Sequence, residues 1–304
     1  MMTAERDTIE LRGEMRRDEP MARHTSWRVG GPADRFYRPA DRDDLGAFLR
    51  WLPDDEPLLW CGLGSNLLVR DGGVRGTVVY LQGCLDRLER LPGDRVHADA
   101  GVACAKVARF SAREGLVDAE FLAGIPGTMG GALAMNAGAF GGETWEVVEA
   151  VDAVGRDGVI RQRLPAEYRV GYRSVELPAE EWFIGCRVQL RAGDGDAAMA
   201  RIRELLARRA ATQPMGKASC GSVFRNPDGD HAARLIESAG LKGLRFGGAV
   251  VSEKHANFIL NEGSATAADI EALASEVRTR VQERSGVLLE PEFRVAGEPA
   301  GGVR

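Results

Sequence analysis

Between Phe121 and Gly142 the chain places seven glycines in the run GIPGTMGGALAMNAGAFGG, separated by alanines, Thr128 and Asn136. Glycine costs backbone entropy and gives a core no side chain, so a run this dense is unsuited to the interior of a long helix or strand. What it permits is a loop whose N–H groups face one concave space, which suits a pyrophosphate. A tight crossing of loops without a ligand has the same composition, and glycine alone does not separate the two. A second glycine loop, GLGSNLLV, comes after the strand-like LLWC. Two such loops, each behind a strand, are best explained by one long ligand crossing two small subdomains, and a dinucleotide has that length.

Neither loop carries a familiar fingerprint. GLGSNLL has Gly62-x-Gly64 but no third glycine and no acidic residue on a following strand, so the Rossmann pattern fails. The G-x-x-x-x-G-K-[ST] of a P-loop is missing as well. At 304 residues the chain is long enough for two or three domains with their own cores. A net charge of −5, from 40 basic and 45 acidic residues, argues against the basic face of a nucleic-acid binder. No apolar run approaches the ~20 residues of a membrane helix. The start, MMTAERDTIELRGEMRRDEP, is charged and lacks the apolar stretch of a signal peptide, so a cytoplasmic protein is expected. Cys61, Cys84, Cys104, Cys186 and Cys220 show no C-x-x-C spacing and read as reduced thiols. The four histidines are scattered and predict no metal site.

Periodicity organises the rest. DRDDLGAFLRWL puts Leu45, Phe48, Leu49 and Leu52 on one helical face, and VACAKVARFSAREGL is a second helix ending near Gly115. DRVHADAG and WFIGCRVQL read as strands, and EVVEAVDAVGRDGVIRQR as a hairpin about Arg156-Asp157-Gly158. AGDGDAAM marks a boundary. Beyond it come the helices ARIRELLARRA and DHAARLIESAG, the strands GGAVVS and ANFILN, and the clearest helix of the chain, TAADIEALASEVRTRVQERSG. That helix carries Ile270, Leu273, Val277 and Val281 as a stripe, with Gly286 past its end. These elements lack a βαβ rhythm, so the C-terminal part is expected to be α+β.

Three stretches carry candidate chemistry. SCGSVFRNP holds Ser219, Cys220 and Ser222 around Gly221, but the G-x-S-x-G elbow of a serine hydrolase is missing and no histidine stands nearby in a suggestive context. His231 reads as a capping or surface residue. Cys220 becomes a nucleophile only if a neighbour lowers its pKa. Tyr172-Arg173 in VGYRSVEL offers a guanidinium fork for a carboxylate, and LEPEFRV sets Glu290 and Glu292 about Pro291. Each of the last two, taken alone, reads as readily as a surface ion pair.

Taken in order, HTSWRVGGPAD, GLGSNLLV, GIPGTMGGALAMNAGAFG, GYRS, QPMGKASCGSVFRNP, ARLIESAGLKG, SEKHANFILN and LEPEFRVAG resemble the UDP-N-acetylenolpyruvoylglucosamine reductases of bacterial peptidoglycan synthesis, over Met21 to Gly297. The glycine motifs alone indicate only FAD-binding oxidoreductases, whereas the serine, KHANFILN and PEFR motifs are specific to the reductases. The resemblance implies an α+β protein: a two-subdomain FAD-binding fold of the non-Rossmann, vanillyl-alcohol-oxidase-like type, followed by an α+β substrate-binding domain. It divides the chain into a flexible lead-in over residues 1–20, FAD-binding subdomains over 21–85 and 86–196, and a substrate domain over 197–304. Gly62, Gly64, Ser65, Asn66 and Leu67 match the first flavin loop. Gly124, Ile125, Pro126, Gly127, Thr128, Gly130, Gly131, Ala132, Asn136, Gly138 and Ala139 match the second, and Arg209 matches a position near flavin and substrate. Ser222 matches the proton donor, with Arg173 and Glu292 beside it, and Tyr172, Asn226 and His255 match substrate contacts.

The implied chemistry is NADPH-dependent reduction of UDP-N-acetylglucosamine enolpyruvate at a CH–CH bond, with non-covalent FAD, no metal and no nucleic-acid or membrane partner, in a chain expected to be monomeric. Two departures stand out. Only RAGDGDAAM comes after Leu190, so the chain resembles the shorter class that lacks a tyrosine lid loop, and Thr212 stands where some relatives have a lysine. The nearest rival is an oxidase of the same fold, whose tethered subgroups hold flavin through histidine or cysteine. Neither His24 nor His97 lies in a glycine loop. A non-catalytic flavin or nucleotide-sugar binder is the other alternative, and it needs no proton donor.

Overall fold

The structure, a computed structural model, describes residues 10–177 and 180–301. The chain forms two compact units that are discontinuous in sequence. Of the described residues, one holds 10–16, 36–62, 78–177 and 180–208, and the other 17–35, 63–77 and 209–301.

In the first unit an antiparallel five-stranded sheet runs in the order Ile160–Arg163, Val148–Gly155, Glu181–Gln189, Arg95–Asp99, Leu88–Leu91. Its second and third strands are largely apolar and nearly continuously buried, as suits a sheet covered on both faces. The hairpin expected about Arg156-Asp157-Gly158 is present, with Gly155 N–H donating to Val159 O at 3.1 Å and Gly158 at φ 70°. The helix Cys104–Arg113 buries Cys104, Val107, Ala108, Ser111 and Ala112, most of them in the main core. The helix Arg42–Trp51 buries the predicted Leu45, Phe48 and Leu49, stacks Phe48 on Tyr37 and is capped by Asp41, which accepts from Asp44 N–H. Buried Asp44 ties the neighbourhood together: it accepts from Tyr37 Oη at 2.6 Å, Ala40 N at 2.9 Å and Arg12 N at 2.7 Å.

In the second unit the helix Ala267–Ser285 packs on a small antiparallel sheet ordered Arg245–Phe246, Ala249–Val251, Ile259–Asn261. The helix begins with a capping box of Thr266 and Asp269, and Asp71 also accepts from Ala267 N and Ala268 N, both at 2.9 Å. It ends at Gly286 in the left-handed conformation, φ 72°. Its predicted stripe joins Trp27, Val223, Phe224, Leu235 and Phe293 in one core, where Trp27 donates its indole N–H to Ile259 O at 2.9 Å. A parallel pair joins Leu67–Val69 to Arg294–Ala296, so the strand after the first glycine loop lies beside the last strand among the described residues.

A four-stranded sheet is ordered Glu14–Pro20, Pro32–Arg38, Val74–Tyr80, Leu58–Cys61. Its first member departs from the expected lead-in over residues 1–20. Glu14–Pro20 is a paired strand, while residues 1–9 lie outside the described ones. The segment lies at the sheet edge and exposes every residue but Glu19, so its charged sequence has none of the alternation that marks a half-buried strand.

Candidate functional site

Gly62, at the start of the first glycine loop, meets the second glycine loop inside the first unit. A Cβ on Gly62 would overlap Thr128 Oγ1, so only glycine lets the end of the strand Leu58–Cys61 pass this close to the second loop. That loop is pinned by a bridge between Ala103 and Thr128, in which Cys104 N donates to Gly127 O at 3.0 Å and Met129 N to Val102 O at 2.8 Å. Gly124, Ile125, Thr128, Ala132 and Asn136 are buried, Gly127, Gly130, Gly138 and Ala139 are half-buried, and Pro126 and Gly131 are exposed. The N–H groups of Gly127 and Thr128 have no protein acceptor among the described residues.

Asn136 holds the far end of the loop. It is 2% exposed, has φ 44°, donates from Nδ2 to Glu143 Oε2 at 2.7 Å and to Gly171 O at 3.2 Å, and accepts from Trp145 N at 3.2 Å. Its side chain is therefore committed within the protein and shapes the loop. Tyr172 and Arg173 form the two-residue turn of the hairpin Arg169–Gly171/Ser174–Glu176. Arg173, at φ 52°, folds its guanidinium back onto the same loop, donating to Asn136 O at 3.2 Å and Gly138 O at 2.9 Å, with its Cζ 5.2 Å from the half-exposed Tyr172 ring. Arg173 is thereby brought to the second glycine loop.

The second unit holds Gly64, Ser65, Asn66 and Leu67 together with Ser222 and Glu292. Gly64, at φ 60°, lies so close to His24 O that a Cβ would overlap it. His24 itself pairs with buried Glu19 at 2.8 Å. A run of hydrogen bonds connects the site residues. Asn66 donates from Nδ2 to Glu292 O at 3.0 Å, Glu292 N–H donates to Val223 O at 2.8 Å, and Val223 N–H donates to Asn257 O at 2.9 Å. Arg294 N–H returns to Asn66 O at 2.9 Å. Ser222 is half-buried between Gly221, at φ 84°, and Val223. Asn257 lies inside the KHANFILN motif, but that resemblance assigns it no role of its own; what marks it locally is a polar residue between Ala256 and Phe258, just ahead of an apolar strand.

The remaining candidates lie around this frame. Asn226 is exposed, and its Oδ1 accepts from Ala232 N at 3.1 Å, starting the helix Ala232–Ser238. His255 accepts at Nδ1 from Asn257 N–H at 3.3 Å, which leaves the neutral ring's proton on Nε2. Burial, with Lys242 adding to it, lowers the His255 pKa from its usual 6.5. Arg209 donates Nε to Gln213 Oε1 at 2.8 Å, and its own burial lowers its pKa. Burial pushes the Cys220 thiol far up, and the nearby Glu292 charge adds to the shift, so Cys220 is a packed thiol and no nucleophile. Among the described residues no cluster of His, Cys, Asp or Glu has the arrangement of a metal site, and no helix is long and apolar enough to cross a membrane.

Residues 33–162, which include both glycine loops, match the FAD-binding domain model, and residues 213–296 match the model of the UDP-N-acetylenolpyruvoylglucosamine reductase C-terminal domain. The chain is 63% identical over 298 residues to the UDP-N-acetylenolpyruvoylglucosamine reductase of Alkalilimnicola ehrlichii, covering 98% of this chain and 99% of that protein. The chain belongs to the UDP-N-acetylenolpyruvoylglucosamine reductase family. The family protein of Methylococcus capsulatus is 60% identical, with 97% of each chain covered. The crystal structure of the family member from Thermus caldophilus aligns with a TM-score of 0.81 at 36% identity, covering 94% of this chain and 100% of that one. The 6-hydroxy-D-nicotine oxidase of Arthrobacter nicotinovorans, at 14% identity and a TM-score of 0.57, covering 94% of this chain and 88% of its own, shares the fold alone. FAD fits the residues present: a glycine loop approached closely by Gly62 keeps two N–H donors without a protein acceptor among the described residues, as a pyrophosphate requires. The short-class reading is consistent with the chain after Gln189. Arg191–Ala192 pair with Leu116–Val117 and the helix Gly195–Thr212 starts three residues later, which leaves no length for a lid.

Proposed function

We propose that this chain reduces the enolpyruvyl ether of UDP-N-acetylglucosamine enolpyruvate to a lactyl ether, giving UDP-N-acetylmuramate, with NADPH as reductant, in cytoplasmic peptidoglycan precursor synthesis. The loops at residues 62–67 and 124–139 would hold FAD non-covalently. Bound FAD supplies the relay of a hydride from NADPH to the terminal enolpyruvyl carbon. That addition leaves an electron pair on the carbon beside the carboxylate, spread into it as an enolate. Arg173 is suited to the enolate carboxylate because a guanidinium stays charged and pairs with it through two N–H groups. Ser222 delivers one proton to the carbanionic carbon and regains one from solvent through a relay. An isolated hydroxyl is a weak acid, but an enolate carbon is a strong enough base to take its proton once the two are aligned. Glu292 stands beside this transfer, Tyr172, Asn226 and His255 take the nucleotide sugar, and Arg209 bridges toward flavin and substrate.

The observation that carries the reading is the bond from Glu292 N–H to Val223 O, with Asn66 of the first glycine loop on Glu292 O. It ties the residue after Ser222, Glu292 and a flavin loop into one frame. The purified protein is expected to be yellow, to release its colour on denaturation, to bleach with NADPH and to recolour with the enolpyruvyl substrate. Ser222→Ala is expected to leave bleaching by NADPH intact and to slow recolouring by about 100-fold or more. A collapse of the first half-reaction would overturn the acid assignment.

A further inference from the structure

The orientation of Ser222 has few supports of its own. Gly221 before it sits at φ 84° with open space where a Cβ would be, and the Ser222 hydroxyl has no hydrogen-bond partner among the described residues. The two residues after Ser222, by contrast, are held on both sides. Asn257, 3% exposed, sets its carboxamide along the Phe224 backbone: Oδ1 accepts from Phe224 N at 3.0 Å and Nδ2 donates to Phe224 O at 2.8 Å. The Asn257 main-chain O accepts from Val223 N at 2.9 Å. Val223 N–H belongs to the peptide plane that joins Ser222 to Val223, so this bond fixes the ψ angle of Ser222. The peptide plane on the other side of Val223 is fixed by Glu292 N–H and by the Asn257 carboxamide together.

One buried asparagine thus supplies the paired donor and acceptor that a neighbouring strand residue otherwise provides. Its place is specific. A carboxylate would accept from Phe224 N–H but face Phe224 O with a second acceptor, and an alanine would leave both groups of Phe224 buried and unpaired.

We infer that Asn257 is a positioning residue for the proton transfer, clamping residues 222–224 against the segment of Glu292 so that the Ser222 hydroxyl is aimed at the carbanionic carbon. The inference rests on the proposed role of Ser222 as the acid. Proton transfer between positioned groups is steep in distance, and a displacement of about 1 Å costs about 100-fold in rate. Among the described residues Asn257 makes no direct hydrogen bond to either glycine loop, so its side-chain loss is expected to spare the flavin and the first half-reaction.

The test measures the two half-reactions of the flavin-loaded protein by stopped-flow absorbance in Asn257→Asp, Ser222→Ala and the double variant. Asn257→Asp is expected to retain flavin and to be reduced by NADPH at the parent rate. Its reoxidation by the enolpyruvyl substrate is expected to slow by about 100-fold, with the substrate concentration for half-maximal rate unchanged. In the Ser222→Ala background the same substitution is expected to add nothing, because a clamp has no purpose once the hydroxyl is gone. Parent-rate reoxidation in Asn257→Asp, an equal loss in both half-reactions, or losses that multiply in the double variant would each overturn the clamp while leaving the acid assignment standing. Unimpaired reoxidation in Ser222→Ala alone would overturn the acid assignment and the clamp with it. If Asn257→Asp is not recovered folded, Asn257→Ser, which brings no charge, is measured in its place. Failure of both to hold flavin shows that Asn257 serves the fold and overturns the inference.

Discussion

Two buried asparagines, Asn136 in the first unit and Asn257 in the second, are each almost completely removed from solvent and each bonded to main chain through both ends of the amide. Asn136 sits at φ 44° and gathers Glu143, Trp145 and Gly171 around the end of the glycine loop, where Arg173 is attached to its carbonyl. Asn257 sits in the turn ahead of the strand Ile259–Asn261 and takes the part of a paired strand residue beside Phe224. The first shapes a cradle made of glycines, and the second stiffens a segment beside the proposed acid. The difference teaches that one residue type, equally buried, shapes a glycine loop in one unit and pairs like a strand residue in the other, and that its partners tell which.

The largest effect expected outside the Ser222 clamp is at Arg173, where the loop and the proposed chemistry coincide. Arg173→Ala removes the cation proposed for the enolate and two bonds to the loop, to Asn136 O and Gly138 O. A loss of about 100–1,000-fold in kcat/KM is expected, with both substrate binding and turnover affected. Steady-state kinetics with the enolpyruvyl substrate check it. A change confined to flavin content would reassign Arg173 to the cradle alone and place it with Asn136.

Asn136→Ala comes next. It leaves the buried Trp145 N–H without its acceptor and frees Gly171 O, which is exposed, to solvent, at a cost of about 1–3 kcal/mol. Thermal unfolding and the flavin-to-protein ratio are the measurements, and both are expected to fall. If flavin retention held while reoxidation slowed, the contrast with Asn257 would be lost.

The sequence was informative where a residue type answers a local demand. The helices Arg42–Trp51 and Ala267–Ser285 announce themselves by apolar spacing and caps, and the two glycine loops by residues that nothing else replaces at Gly62 or Gly64. Long-range pairing left no such mark. The strand Arg294–Ala296 lies beside Leu67–Val69, more than two hundred residues earlier, and Phe224 bridges to Pro291, through backbone groups that nearly every residue owns. For the same reason Asn66 and Asn136 read as cofactor contacts from motif position, although the structure engages their amides with Glu292 O and with Glu143, Trp145 N and Gly171 O. Asn257 stays hidden because its partners are main-chain atoms of Val223 and Phe224. Glu14–Pro20 reads as a lead-in because an edge strand places few demands on its side chains.

The smallest effect sharpens the comparison from the side of His255, whose Nδ1 accepts the Asn257 N–H. Burial lowers the His255 pKa below the 6.5 of an unfolded chain, with Lys242 contributing. Below pH 6.5 the unfolded chain therefore binds a proton that the folded chain resists, and stability drops as the pH is lowered until the folded ring itself is protonated. Protonation at Nδ1 would also replace an acceptor with a donor opposite Asn257 N–H, so the titration reaches the residue that makes the clamp. His255→Asn, whose side-chain oxygen keeps an acceptor of similar reach and does not titrate, is expected to flatten the part of the stability profile just below about pH 6.5 and to change little at about pH 8. Thermal melts across that range in parent and variant decide it. Parallel profiles would mean that His255 titrates alike in both states, and that its ring is not held by the segment that steadies Ser222.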